Sequence, residues 1–196
     1  MKLLDKIVLI EEGEILNFEA KHLVRWGIPG WFYTLVIFIY FLLDDKERLV
    51  QYLKSLDVSI IGITALLGVT GIIIGHMIHQ ISMLFGFLII TNWKKYFKGE
   101  YKLDQIIMKS KYGQEIQRIY RHRLGQVHAL RALTTSGVLS LITVGLLLIF
   151  YSYSIKTIFL LIVICILTIT LFINHNYFRK NLDYFVKQID MEKHGV

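Results

Sequence analysis

From Val58 to Thr91, 34 consecutive residues carry no Lys, Arg, Asp or Glu. A helix needs roughly 20 apolar residues to cross the ~30 Å hydrocarbon core, so this run reads as a bilayer span. Shorter apolar runs extend over residues 26–43, 137–153 and 157–174. Together they predict an all-α, polytopic membrane protein with four transmembrane helices. A transmembrane barrel is not expected, because its strands would alternate apolar and polar residues, whereas these runs are continuous. With 55% hydrophobic residues and one proline among 196, an ordinary soluble domain and a disordered chain are both excluded, and long uninterrupted helices are expected. The second run exceeds one crossing, which leaves a tilted helix, a helix continuing past the bilayer, or a break at Gly75 or Gly86. Residues 154–156 leave room only for a tight hairpin, so the third and fourth spans should be antiparallel neighbours.

Lysine and arginine counts set the orientation. Residues 1–25, 92–135 and 175–196 hold 18 of the 22 basic residues, while residues 44–57 and Lys156 hold the other four. Both termini should therefore be cytoplasmic in a multi-pass protein of the cell inner membrane. The predicted parts are a cytoplasmic N-terminal segment (1–25), spans 1 and 2 (26–91), a basic cytoplasmic helical region (92–135), a hairpin of spans 3 and 4 (136–174) and a cytoplasmic tail (175–196). Trp26, Trp31, Trp93, Tyr153 and Tyr177 fall near span ends, where amphipathic rings collect. Residues 1–25 suit a β-hairpin turning at Gly13, with a helix as the rival reading, and no signal peptide is expected. Residues 44–57 suit an interfacial helix capped by Asp44 or Asp45, with Leu49, Leu53 and Leu56 on one face. The single cysteine, Cys165, is expected to be a buried small hydrophobe.

The chemical bias concentrates in residues 92–135, where ten basic and three acidic residues give a net +7. Ile116, Ile119, Tyr120, Leu124, Val127 and Leu130 are apolar at mostly helical spacing, and Gln114, Arg118, Arg121, His122 and Gly125 fall on the other side. This pattern predicts a cytoplasmic helix running on into span 3. Its candidate ligand-binding residues are Arg118, Arg121, His122 and Arg123, since guanidinium forks match phosphate oxygens. The competing reading is positive-inside charge near anionic headgroups. No glycine-rich phosphate loop, zinc finger or RNA-binding signature is present.

The second run carries Gly62, Gly68, Gly71, Gly75 and Gly86, with Gly71 and Gly75 at small-xxx-small spacing. Small residues let helix backbones approach closely, so this span should face protein and the last two should largely face lipid. A symmetric oligomer with this helix near the axis follows naturally. His76 and His79 lie at i, i+3, with Gln80 and Met83 on or beside the same face. The candidate pore or gate residues are thus Gly71, Gly75, His76, His79 and Met83. Proton sensing, metal binding and plain interhelical hydrogen bonding are the other readings of the two histidines. Two His without a carboxylate make a poor metal site, so neither a metal nor a cofactor is expected. His122, His128 and His175 are expected to be mostly solvated. No HExxH, Ser-His-Asp set or paired intramembrane carboxylates appear, so no catalytic residues are assigned and an enzyme is not expected. Gly27, Pro29 and Gly30 open the first span, either as a hinge or as a simple helix start.

The Gly27-Ile-Pro-Gly30 lead-in, together with the glycine-studded second span ending in Gly75-His-Met-Ile-His-Gln80, resembles the small membrane subunits of two-gene prokaryotic antiphage systems. The membrane effector of Hailong-type systems is the nearest in size and topology, and the Kiwa membrane subunit is second. The resemblance implies a homo-oligomeric, tetrameric effector of antiviral defence, an ion channel opened by an infection-triggered cytoplasmic signal. In the Hailong-type case it also implies an oligonucleotide or cyclic nucleotide signal made by a partner nucleotidyltransferase. Two other classes stay open: a non-channel membrane scaffold docking a cytoplasmic partner protein, and a small transporter or lipid-handling enzyme.

Overall fold

The computed structural model of the chain describes residues 26–44, 46–55, 59–89, 92–151 and 153–193. The expected hairpin of residues 1–25, and the roles given to Asp45 and Leu56, lie outside them. Among the described residues the elements are α1 (Ile28–Asp44), α2 (Lys46–Ser55), α3 (Ile60–Met83), α4 (Trp93–Lys109), α5 (Gly113–Phe150) and α6 (Ile155–Lys193). A π-helical segment, Leu84–Ile89, continues α3.

Local chemistry explains the breaks between helices. The Ser59 hydroxyl caps α3 by accepting from the Gly62 N–H at 3.2 Å. Asn92 does the same for α4 through the Lys95 N–H at 3.3 Å. Ser110 leaves the helical region, separating α4 from α5. Tyr151 ends α5, and Ser154 opens α6 by accepting from the Thr157 N–H at 3.2 Å. The resulting turn makes α5 and α6 antiparallel neighbours, as the short connection requires.

Among the described residues, three helices, α3, α5 and α6, are long and apolar enough to cross a membrane. At 1.5 Å per residue, the 38 residues of α5 and the 39 of α6 run about 57 Å, nearly twice a hydrocarbon core. α1, of 17 residues, packs along α3 and α5 and turns through 116° into α2. α2 buries no residue, and Leu49 and Leu53 are half-buried.

The long helices carry two separate cores. Val36, Tyr40, Val144, Leu160 and Ile164 join α1, α5 and α6 in the apolar half. Leu103, Ile106, Ile107 and Ile189 join α4 to α6 at the basic end, with Ile116, Tyr120, Phe185 and Val186 packed against them. The basic region is therefore a packed three-helix stalk, with α5 and α6 passing unbroken between the two halves.

Two expectations are corrected here. The second apolar run is no more enclosed than the others, since Leu66, Val69, Ile73 and Met77 all face outward. Gly71 and Gly75 serve one contact with α1 and Gly86 lies against Arg131 of α5, while α5 and α6 pack on each other along their length. Cys165 is exposed. The apolar part of α6 is apolar all round, so hydrophobicity there does not select an inward face.

Candidate functional site

Where α1 crosses α3, the two helix backbones touch. A Cβ on Gly30 would overlap the Gly71 carbonyl and lie 2.5 Å from the Gly75 nitrogen. A Cβ on Gly75 would overlap the Trp26 carbonyl, and one on Gly71 would overlap the Trp31 indole. Backbone thus meets backbone, which only glycine allows. Side chains then fasten the crossing. The Trp31 indole N–H donates to the Gly68 carbonyl at 3.0 Å. From α5, the buried Ser136 hydroxyl donates to the Pro29 carbonyl at 2.6 Å. Tyr33 and Thr143 share a hydrogen bond at 3.0 Å. Gly27 sits against the Trp31 ring, which a Cβ there would approach to 3.1 Å. Gly27, Pro29 and Gly30 therefore begin a helix clamped between α3 and α5.

The same contacts fix heights. Trp26, where the first apolar run begins, meets His76 edge to face with centroids 5.0 Å apart. Ser136, at the base of the apolar part of α5, meets Pro29. The two histidines, near the middle of the run in sequence, therefore lie at the basic end of the apolar half. The run is longer than one crossing, and its surplus extends toward the basic stalk as the π-helical segment.

The five residues read as a pore or gate do not line a common surface. Gly71 and Gly75 are buried against α1, and His79 is buried. His76 and Gln80 point outward one turn apart, with their Nε2 atoms 3.4 Å from each other. Met83 turns toward α5, where its sulfur accepts from the Arg131 guanidinium at 2.6 Å. Among the described residues, no group of three or more His, Cys, Asp or Glu could hold a metal ion.

On the stalk, Arg118, Arg121 and His122 share an exposed stripe of α5 with Gln114. Arg118 forks onto Glu115 at 2.6 and 3.0 Å and holds that carboxyl below its usual range. His122 pairs with Gln126 at 3.2 Å. Arg123 departs from the expected set. It bonds the Asn181 side chain and lies over the Phe185 ring, 4.6 Å from its centroid. At 100° per residue it lies some 200° around the helix from Arg121, on the side that faces α6.

Two features escaped the sequence reading. Glu100 accepts from Tyr96 at 2.6 Å and from Tyr120 at 3.4 Å through one carboxylate oxygen, tying α4 to α5. Burial, then the Glu100 hydrogen bond, pushes the Tyr96 phenol well above its ordinary range; burial, then the Glu100 charge, pushes Tyr120 up to about 12. The i, i+4 spacing of Tyr96 and Glu100 was visible in sequence, but Tyr120 reaches them only through the fold. The second feature is Arg131, which packs against Gly86 and donates to His128 Nδ1 at 2.9 Å. His128 and His175, expected to be solvated, are both half-buried, because the stalk helices close around them.

No protein-family model matches this chain, and neither a curated protein nor a solved structure does.

Proposed function

We propose that this chain is the subunit of a homo-oligomeric inner-membrane channel, an antiviral effector opened by an anionic, nucleotide-type signal. In this reading α1 is the fourth span, and the basic stalk and both termini are cytoplasmic. The observation that carries it is the unbroken α5, which joins the exposed Arg118, Arg121 and His122 directly to Ser136 at the glycine crossing. Ligand bound at the stripe would load a rigid rod whose far half holds α1 and α3 in register. Each chain buries its own glycines, so the conducting path runs between copies. The outward His76–Gln80 pair supports an oligomer, because polar side chains at the edge of the hydrocarbon favour protein or water over lipid. The test is ion flux from proteoliposomes, with and without short oligonucleotides or cyclic nucleotides on the stalk side. Arg118→Ala with Arg121→Ala should abolish the ligand response and leave assembly intact. Undiminished ligand-gated flux in that double variant removes the sensor.

A scaffold for a soluble partner is the second reading. Phe97, Tyr101 and Met108 favour it, being exposed on one face of α4 at the basic end. Co-purification of a partner, with no flux under any anionic ligand, selects it.

A further inference from the structure

On the stalk, the outer face of α4 is uncovered among the described residues. Phe97, Tyr101 and Met108 are 56, 62 and 75% exposed. At 100° per residue they fall within about 40° of one another, on the side away from Leu103, Ile106 and Ile107, which pack on α5 and α6. Lys95, Lys98, Lys102 and Lys109 are exposed and form a second stripe beside the first. Among the described residues none of these four ammonium groups has a carboxylate partner. Asp104, also exposed, borders the apolar stripe on its other edge. The nearby carboxylates are engaged elsewhere, Glu100 by two phenols and Glu115 by Arg118. Lipid does not cover this face. Tyr120, which meets Glu100, lies 16 residues before Ser136, about 24 Å along α5. Gly113, against Ile107, lies 23 residues before it, about 35 Å. Ser136 stands at the base of the apolar part of α5, so Tyr101 and Met108 lie well clear of the hydrocarbon.

We propose that residues 7–20 of this same chain, which lie outside the described residues, dock on the outer face of α4. Their sequence supplies what the face lacks. Glu11, Glu12, Glu14 and Glu19 stand there with no Lys or Arg among them, interleaved with Leu9, Ile10, Ile15, Leu16 and Phe18. Four carboxylates answer the four ammonium groups, and the apolar side chains answer the stripe of Phe97, Tyr101 and Met108. Position agrees with charge. The described chain begins at Trp26, which meets His76 at the basic end of the apolar half, the end from which α4 descends. The twelve residues from Glu14 to Trp26 span up to about 40 Å when extended, more than the drop of about 24 Å to the level where Glu100 meets Tyr120. The outer face of a second α4 carries the same lysines and would be repelled. The docking rests on neither reading of function above. A soluble partner at this face would have to displace the segment.

The test is carbodiimide cross-linking of the purified full-length protein in detergent, read by peptide mass spectrometry, beside peroxide oxidation of Met108. Carbodiimide joins a carboxylate to an amine where the two touch. Amide links should therefore form between Glu11, Glu12, Glu14 or Glu19 and Lys95, Lys98, Lys102 or Lys109, and high salt should thin them. Met108 should oxidise slowly while the segment covers it. An exposed ion pair contributes a factor of about two, so Glu11→Gln, Glu12→Gln, Glu14→Gln and Glu19→Gln together should speed that oxidation on the order of tenfold. Lys98→Gln with Lys102→Gln, at exposed positions that pack no core, should speed it about fourfold. Asp183→Asn, which removes an exposed carboxylate from α6, should leave the rate unchanged. A mixture of isotopically light and heavy protein assigns the links. Links that join only light chains to heavy ones hand the face to the segment of a neighbouring copy and overturn docking within one chain. No link to these lysines overturns the docking itself, as does a Met108 rate that neither the glutamate nor the lysine variant changes.

Discussion

Gly30→Ala puts a methyl group where two helix backbones touch. It would overlap the Gly71 carbonyl and lie 2.5 Å from the Gly75 nitrogen, and neither atom can rotate away as a side chain would. Forcing an extra carbon into a packed site costs roughly 1–3 kcal/mol, and immovable backbone on both sides favours the upper part of that range. Alanine also recovers about 0.5–1 kcal/mol of helix propensity over glycine. The net loss is therefore about 1–2 kcal/mol. At about 2–4 °C per kcal/mol for a chain of this size, the melting point should fall by about 2–8 °C. Gly68→Ala is the matched control. It lies three residues before Gly71 on the same helix, but a Cβ there meets nothing within 4 Å. It should keep the propensity gain and raise the melting point by about 1–4 °C. Gly71→Ala should fall between them, because its obstacle is the movable Trp31 ring. The assay is thermal unfolding of purified protein in detergent, read by the fluorescence of its three tryptophans, of which Trp26 and Trp31 lie at the crossing. A folded Gly30→Ala protein that melts at or above the parent refutes the crossing as described.

Ser136→Ala removes the buried hydroxyl that donates to the Pro29 carbonyl at 2.6 Å and should cost about 1 kcal/mol. Ser140→Ala, one turn on, removes a buried hydroxyl that has no hydrogen-bond partner among the described residues, and thermal melting should show it neutral or stabilising. In an alkaline titration followed by ultraviolet absorbance, the Tyr96 and Tyr120 phenols should ionise above the ordinary phenol range. Their folded-state values are raised above the ordinary 10.0, Tyr120 to about 12, so the stability they add is present below pH 10.0 and is lost as pH rises through the folded value. Glu100→Gln should lower the pH at which Tyr96 and Tyr120 ionise, and a titration curve unchanged by that substitution would remove the clamp.

The apolar runs were legible because a bilayer demands long, uncharged, self-satisfied helices, and that demand is written residue by residue in the chain. The same holds for the exposed stripe of Arg118, Arg121 and His122, whose periodicity is a property of one helix. Arg123 faces the other way because its partners, Asn181 and Phe185, lie about sixty residues on along the chain, on α6. The small-xxx-small spacing of Gly71 and Gly75 announced a close helix contact but could not name the partner, and that partner is α1 of the same chain.

Helical class, the apolar lengths, the tight α5–α6 hairpin and the concentration of charge at one end all follow from local composition and period. The height of His76, the burial of His79 and the meeting of Arg131 with Gly86 arise only once the helices pack. Those depend on the register between helices, which is set where backbones interlock at Gly30, Gly71 and Gly75, and no local pattern encodes it.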